Sequence, residues 1–346
     1  MKLINLVRFS LILTFIVVML GAYTRLADAG LGCPDWPGCY GQLTVPSEQH
    51  EIALAQSLYP SLTVEADKAW LEMIHRYFAG TLGLVVFTIS IIGIKTRQMP
   101  IPLAMAVSVV VVFQALLGMW TVTMMLMPIV VMGHLLGGFT LFCLLALTYW
   151  NLQSRQESMQ GKHYTTRSSL RLLATISLIL VVVQIALGGW TSSNYAALMC
   201  TTLPICQGDW TSYLDFGRAF ELIQPKRESY EFGTLDYGAR MTIHITHRIG
   251  AVVVTLFVCA LAFMLLAEKT QAYNKIAKGL LVMLALQIAL GIGNVLLSLP
   301  LIIAVAHNLG AALLLLIVLR TNYLIWQTSH QSAMDSALFN KESAHE

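Results

Sequence analysis

The stretch EMIHRYFAGTLGLVVFTISIIGIK, residues 72–95, decides the fold. After Arg76 it carries no charged side chain until Lys95. An apolar run of that length crosses about 30 Å of hydrocarbon as a helix rising about 1.5 Å per residue. A second stretch, THRIGAVVVTLFVCALAFMLLA at 246–267, follows the same plan: a His, an Arg, then an unbroken apolar run. A membrane helix with a histidine near one end is thus used twice.

Six further apolar runs flank these two, giving candidate spans near 5–24, 70–94, 100–123, 128–150, 170–192, 241–266, 275–297 and 301–325. Hydrophobic residues make up 57% of the 346 and charged residues 11%, against roughly 25% charged in a soluble domain, so a water-soluble globule is excluded. The runs are continuous and not short and alternating, which excludes a β-barrel. The first run, after Lys2 and Arg8, is read as a retained span and not a signal peptide, because removing it leaves an odd number of spans and upsets the charge pattern.

That pattern is lopsided. Lys2, Arg8, Lys95, Arg97, Arg155, Lys162, Arg167, Arg171, Lys269, Lys275, Lys278, Arg320 and Lys341 share the side of the N-terminus, which positive-inside orientation makes cytoplasmic for both termini. The loops near 25–69 and 193–240 fall on the opposite side. The basic residues are spread over short loops and form no patch, so nucleic acid is not an expected partner.

The chain repeats itself. An offset of 167 places Gly21 on Gly188, Thr24 on Thr191, Cys33 on Cys200 and Cys39 on Cys206. At 172, His75 and Arg76 fall on His247 and Arg248. At 173, Gln114, Gly118, His134, Leu136, Gly137 and Leu141 fall on Gln287, Gly291, His307, Leu309, Gly310 and Leu314. The expected fold is an all-α integral membrane protein of eight transmembrane helices, built as two tandem pseudo-symmetric four-helix bundles in parallel orientation. Residues 1–150 form the first bundle, 151–169 a polar, basic cytoplasmic linker, 170–326 the second bundle, and 327–346 a tail with the composition of a disordered segment. Gly133, Gly137 and Gly138 suit close helix contact on the fourth span.

Of nine histidines, four recur by the repeat: His75 and His134, then His247 and His307. Each falls five or six residues inside the outer end of an even-numbered apolar run, hence about 8–10 Å deep. Two neutral imidazoles from parallel helices form a natural axial pair for a haem iron, one haem per half. A lone intramembrane His bonded to a neighbouring helix, or a zinc or copper site, are the alternatives. His244 lies one turn before His247 and can face the second site, while His50, His163, His330 and His345 read as solvated. Arg25, Arg76 and Arg248 stand where porphyrin propionates would need cations, or where arginines snorkel to headgroups.

Cys143 and Cys259 lie within spans and read as packing residues. Cys33 and Cys39 (GCPDWPGC) and Cys200 and Cys206 (MCTTLPIC) lie in the outer loops and read as two local disulfides, with a cycling dithiol as the alternative. No Cys-x-x-Cys-His is present in these pairs, so a haem here would be non-covalent. Trp36 and Trp210 suit the membrane interface.

The halves differ at one carboxylate. Glu72 stands one turn before His75, and its repeat counterpart is His244. A carboxylate at the hydrocarbon edge is costly unless used or paired, and suits proton transfer or stabilisation of a developing cation. The competing reading is a water-exposed glutamate favoured by the helix N-terminus. Such asymmetry makes the first site reactive and the second a permanent electron-transfer cofactor.

Together GAYTRLADAGLGCPDWPGCYG (21–41), EMIHRYFAG (72–80), GHLLGG (133–138), THRIGA (246–251) and AHNLGAA (306–312) closely resemble the heme A synthase family, over nearly all of both halves. The resemblance implies an inner-membrane oxidoreductase that converts the C8 methyl group of heme O to the formyl group of heme A through successive hydroxylations. It implies that His75 and His134 flank the substrate heme O, that His247 and His307 hold heme b as cofactor, and that Glu72 is the catalytic carboxylate. The Cys pairs resemble the family's loop disulfides. Implied partners are membrane lipid, a heme O synthase as donor, an electron acceptor of unknown identity and terminal oxidase assembly factors; oligomeric state is open. The rival classes are a di-haem electron carrier that oxidises quinol without changing its haems, and a haem export or chaperone protein.

Overall fold

The computed structural model describes residues 2–157 and 168–342, with side chains for 2–155 and 168–327. Among the described residues, eight helices are long and apolar enough to cross a membrane. They are α1 (Leu3–Leu26), α3 (Ala66–Lys95), α4 (Ile101–Thr123), α5 (Pro128–Glu157), α6 (Ser168–Ser193), α8 (Tyr237–Ala267), α9 (Gln271–Leu296) and α10 (Leu301–Glu342). Two short helices, α2 (Gln49–Leu58) and α7 (Phe216–Ala219), sit in the two long loops. The number of spans is the one expected from hydropathy, and the chain is a multi-pass membrane protein.

Several boundaries differ from the apolar runs. Helices α3 and α8 begin before their apolar stretches, so His75 is the tenth residue of its helix and His247 the eleventh, while His134 and His307 are each the seventh of theirs. The additional turns are polar and stand on loop contacts and caps: the Asp236 carboxylate accepts from the Ala239 N–H at 2.9 Å and starts α8. Residues 151–157, read as linker, continue α5, whereas 158–167, with Lys162, His163 and Arg167, lie outside the described residues. Helix α10 runs on through Glu342 across the segment read as a disordered tail. The side chains of His330 and Lys341, and residues 343–346 with His345, lie outside the description.

Helices α1, α3, α4 and α5 pack in a closed ring, as do α6, α8, α9 and α10. The halves meet through α1 against α10 and α5 against α6. These two contacts exchange into each other under the sequence repeat. One apolar core fills each half: Leu82, Val86, Ile89, Val107 and Leu145 in the first, and Val181, Val258, Leu261, Leu280 and Val318 in the second. Burial of such side chains against neighbouring helices gives close packing, since lipid competes for apolar surface on equal terms.

The turns also recur. Non-glycine residues with left-handed backbone occur as Asp28 and Tyr195, Arg97 and Lys269, Met125 and Ser298, Leu126 and Leu299. Each pair is separated by an offset of the sequence repeat, although the side chains differ in three of the four. Residues equated by the repeat also touch at both ends of the molecule. At the loop end, Arg25 donates to the Ser192 carbonyl at 2.9 Å and Tyr195 donates to Asp28 at 3.2 Å. At the other end Trp150 and Tyr323 pack with ring centres 5.6 Å apart.

Candidate functional site

In the first half, α3 and α5 bring His75 and His134 together with ring centres 6.4 Å apart and planes nearly perpendicular, at 88°. In the second, α8 and α10 carry His247 and His307 at the positions that the repeat equates with His75 and His134. Each ring rests on a glycine of an adjacent helix. A Cβ at Gly21 would lie 2.8 Å from His75 Cε1, and one at Gly118 would lie 3.4 Å from His134 Cε1. Gly188 and Gly291 stand in the same way against His247 and His307, each at 3.2 Å. Here the absence of a side chain is the requirement, because a methyl group would push the imidazole out of line.

A first-row metal takes an imidazole nitrogen at about 2 Å. One ion between His75 and His134 would therefore span about 4 Å of their 6.4 Å separation, the rest being the distance from each ring centre to its own nitrogen. His75, His134 and His307 each leave Nδ1 buried without a hydrogen-bond partner, and a buried polar atom without a partner calls for a ligand or water. Among the described residues, no group of three or more His, Cys, Asp or Glu gathers. Each site thus offers two protein donors, which fits a metal whose other positions a porphyrin supplies.

The histidine backbones are held as well. Gln114, from α4, donates its amide to the His134 carbonyl; Gln184, from α6, to the His247 carbonyl; and Gln287, from α9, to the His307 carbonyl, all at 2.9 Å. Gln184 also lies 3.1 Å from His247 Nδ1, and Gln287 lies 3.4 Å from His307 Nε2. Each amide lies against the glycine three residues after the histidine: Gly137, Gly250 and Gly310, where a Cβ would collide with the amide oxygen. Sequence reading matched Gln114 with Gln287 but gave neither a role, and missed Gln184. The available signal was a Gln four residues before each of three of the four ring-bearing glycines.

Glu72 is buried, 5% exposed, which removes the reading of a water-exposed helix-start glutamate. It accepts from the Cys33 N–H at 2.9 Å and pairs with Arg76. Arg76 in turn donates to the carbonyls of Pro37 and Gly38. The counterpart cluster uses His244, whose Nδ1 lies 2.9 Å from the Ala196 carbonyl and whose Nε2 accepts from Arg248 Nε at 2.9 Å. Arg248 also donates to the carbonyls of Cys200 and Thr202. His244 therefore faces the loop and not the metal position.

The three arginines read as propionate partners are all engaged by protein. Arg76 and Arg248 clamp the two cysteine loops, and Arg25 donates to the Tyr195 hydroxyl at 2.8 Å as well as to Ser192. Both cysteine pairs are disulfides, Cys33–Cys39 and Cys200–Cys206. Cys143 and Cys259 are free and partly buried. Trp36 is exposed, whereas Trp210 packs beside the second disulfide. His50 lies exposed on α2.

Fold and geometry define a class: a multi-pass membrane protein that buries cross-helix imidazole pairs inside four-helix bundles. The chain belongs to the cytochrome oxidase assembly protein family (COX15-CtaA), which matches residues 5–319. A heme A synthase of Shewanella oneidensis is 52% identical over 334 residues, covering 96% of this chain and 99% of its own. The heme A synthases of Caulobacter vibrioides and Nitrosospira multiformis are 28% and 26% identical, over 88% and 90% of this chain and 90% of each of theirs.

Proposed function

We propose that the chain is a heme A synthase, an oxidoreductase that converts the C8 methyl group of heme O to a formyl group and supplies heme A for oxidase assembly. The observation that carries this reading is the buried Glu72, one turn from an imidazole pair in the first half, at a position the second half fills with neutral His244. An electron carrier with two equivalent haems has no use for that difference. The 52% identity to a named heme A synthase, along essentially its full length, supports the same conclusion.

In this reading His75 and His134 bind the substrate heme O, and His247 and His307 bind heme b, which when bound supplies one-electron redox chemistry. Helices α3 and α5 orient the substrate, and the glycine at each ring fixes how far each imidazole reaches. Glu72 holds negative charge beside the site, where it stabilises a cation developing on the substrate or takes up its proton. The Cys33 N–H and Arg76 keep that carboxylate in place, and the first disulfide fixes the loop that supplies the N–H. Burial inside the bundle keeps water from competing with these contacts.

The two bundles, 1–150 and 170–326, are taken as units related by an axis along the membrane normal, supported by the recurring turns and by the repeat-related residues that touch at both ends. Basic loops on the side of the termini, and disulfides on the other, support a bacterial inner membrane with cytoplasmic termini and periplasmic cysteine loops. A heme O synthase as donor, an electron acceptor and oxidase assembly factors are the partners this chemistry requires. The test is expression in cells that make heme O but lack heme A. Chromatography of acid-extracted haems should show heme A; recovery of heme O alone would favour the electron-carrier reading.

A further inference from the structure

The glutamine latch is present at three histidines and missing at one. At His134, His247 and His307, a cross-helix amide holds the histidine's own carbonyl, and a glycine three residues on makes room for it. At His75 both parts are absent. Val17 occupies the place of Gln184, and Phe78, 40% exposed, occupies the place of Gly250. The hydrogen bond between α1 and α3 lies a turn outward, from the Thr24 hydroxyl to the Leu71 carbonyl at 3.4 Å. It secures the turn before Glu72, one turn away from the His75 carbonyl that no amide side chain holds. Substrate-site groups are thus fixed unequally: Glu72 by Cys33 and Arg76, the His134 backbone by the Gln114 amide, and the His75 backbone by no such amide.

We infer that His75 is the exchangeable ligand of the substrate site, leaving and rejoining the iron while His134 stays bound. This rests on the haem ligation proposed above. The bond broken is the one between iron and the His75 nitrogen. Its electron pair remains on the nitrogen, and neither an electron nor a proton changes hands. The position opened would be the one His75 leaves, one helical turn along α3 from Glu72. The C-terminal site, with a latch on both histidines, stays closed.

The experiment is a cyanide titration of the purified, oxidised full-length protein, read from the Soret band. Cyanide stands for any small ligand that needs a free iron position. With His134→Ala the remaining low-spin haem is that of the second half, and with His307→Ala that of the first, so the titration follows the low-spin band alone. The first-half haem should bind cyanide and the second-half haem should stay low-spin and unreactive. Adding Gln184→Val to the His134→Ala chain should raise cyanide affinity about fivefold or more, the equivalent of one lost hydrogen bond. Gln287→Leu provides an independent second opening of the same site. Val17→Gln with Phe78→Gly should close the first site by a similar factor. Loss of the latch without any gain in cyanide binding, in a chain that keeps its low-spin spectrum, overturns the inference. Absence of a low-spin haem from the unmodified protein would overturn the ligation reading and this inference with it.

Discussion

Two arginine clusters at the mouths of the two bundles have the same architecture and different chemistry. In both, the arginine after the first histidine holds a disulfide loop by its carbonyls. In the first half, the residue one turn earlier is Glu72, which forms an ion pair with that arginine; in the second it is His244, a neutral acceptor for Arg248. Further differences near the imidazoles include Val17 against Gln184 and Phe78 against Gly250. In the function proposed above, differences of this kind in a shared scaffold separate a site that does chemistry from one that holds its cofactor. A duplicated bundle specialises at the contacts of its ligands and leaves the ligands themselves alone.

The largest expected effect comes from removing the charge that distinguishes the halves. Glu72→Ala should retain haem in both bundles yet lower formyl production by about a hundredfold or more, as seen in extracted haems; conversion at the unmodified rate would take Glu72 out of the mechanism. His244→Ala should leave the conversion far less affected, which sharpens the contrast. Next in size, His247→Ala should abolish the low-spin signature of the second half while leaving that of the first. A spectrum with both signatures intact would mean that another group ligates the metal.

A smaller effect tests the glycine seats. Gly21→Ala puts a methyl group 2.8 Å from the His75 ring, whereas Gly118→Ala puts one 3.4 Å from His134. The first should cost about 1–3 kcal/mol of packing and reduce haem occupancy of the first bundle, and the second should be much milder. Equal occupancies would show that the rings move freely.

The smallest concerns Asp236, whose carboxylate caps α8. The Ala239 N–H, and then Arg218, hold its pKa below the ordinary 3.8. Its contribution is therefore fully present above that value and lost as pH falls through the depressed one. Asp236→Ala should lower thermal stability by about 0.5–1 kcal/mol at neutral pH. The difference from the unmodified chain should vanish in strongly acidic solution.

Much of this was readable from the residues. Eight apolar runs, four repeated histidines, two repeated cysteine pairs and one unmatched carboxylate each carry their own signal, because burial in lipid leaves little choice of residue. The polar supports were less visible. Gln114, Gln184 and Gln287 bond to backbone carbonyls, and a carbonyl has no letter in a sequence. Arg76 and Arg248 were read toward propionates for the same reason: the loop carbonyls they hold cannot be seen until the loop is folded. The early starts of α3 and α8 escaped hydropathy because their first turns are polar and depend on loop contacts.

The recurring left-handed turns offer a practical handle for handling the protein in detergent. Met125, Ser298 and Arg97 hold a backbone conformation that an L side chain adopts at a cost of about 1–2 kcal/mol. Asparagine or glycine there relieves that strain at exposed turns between helices. Such replacements should extend the working life of purified samples without altering the pigment they carry.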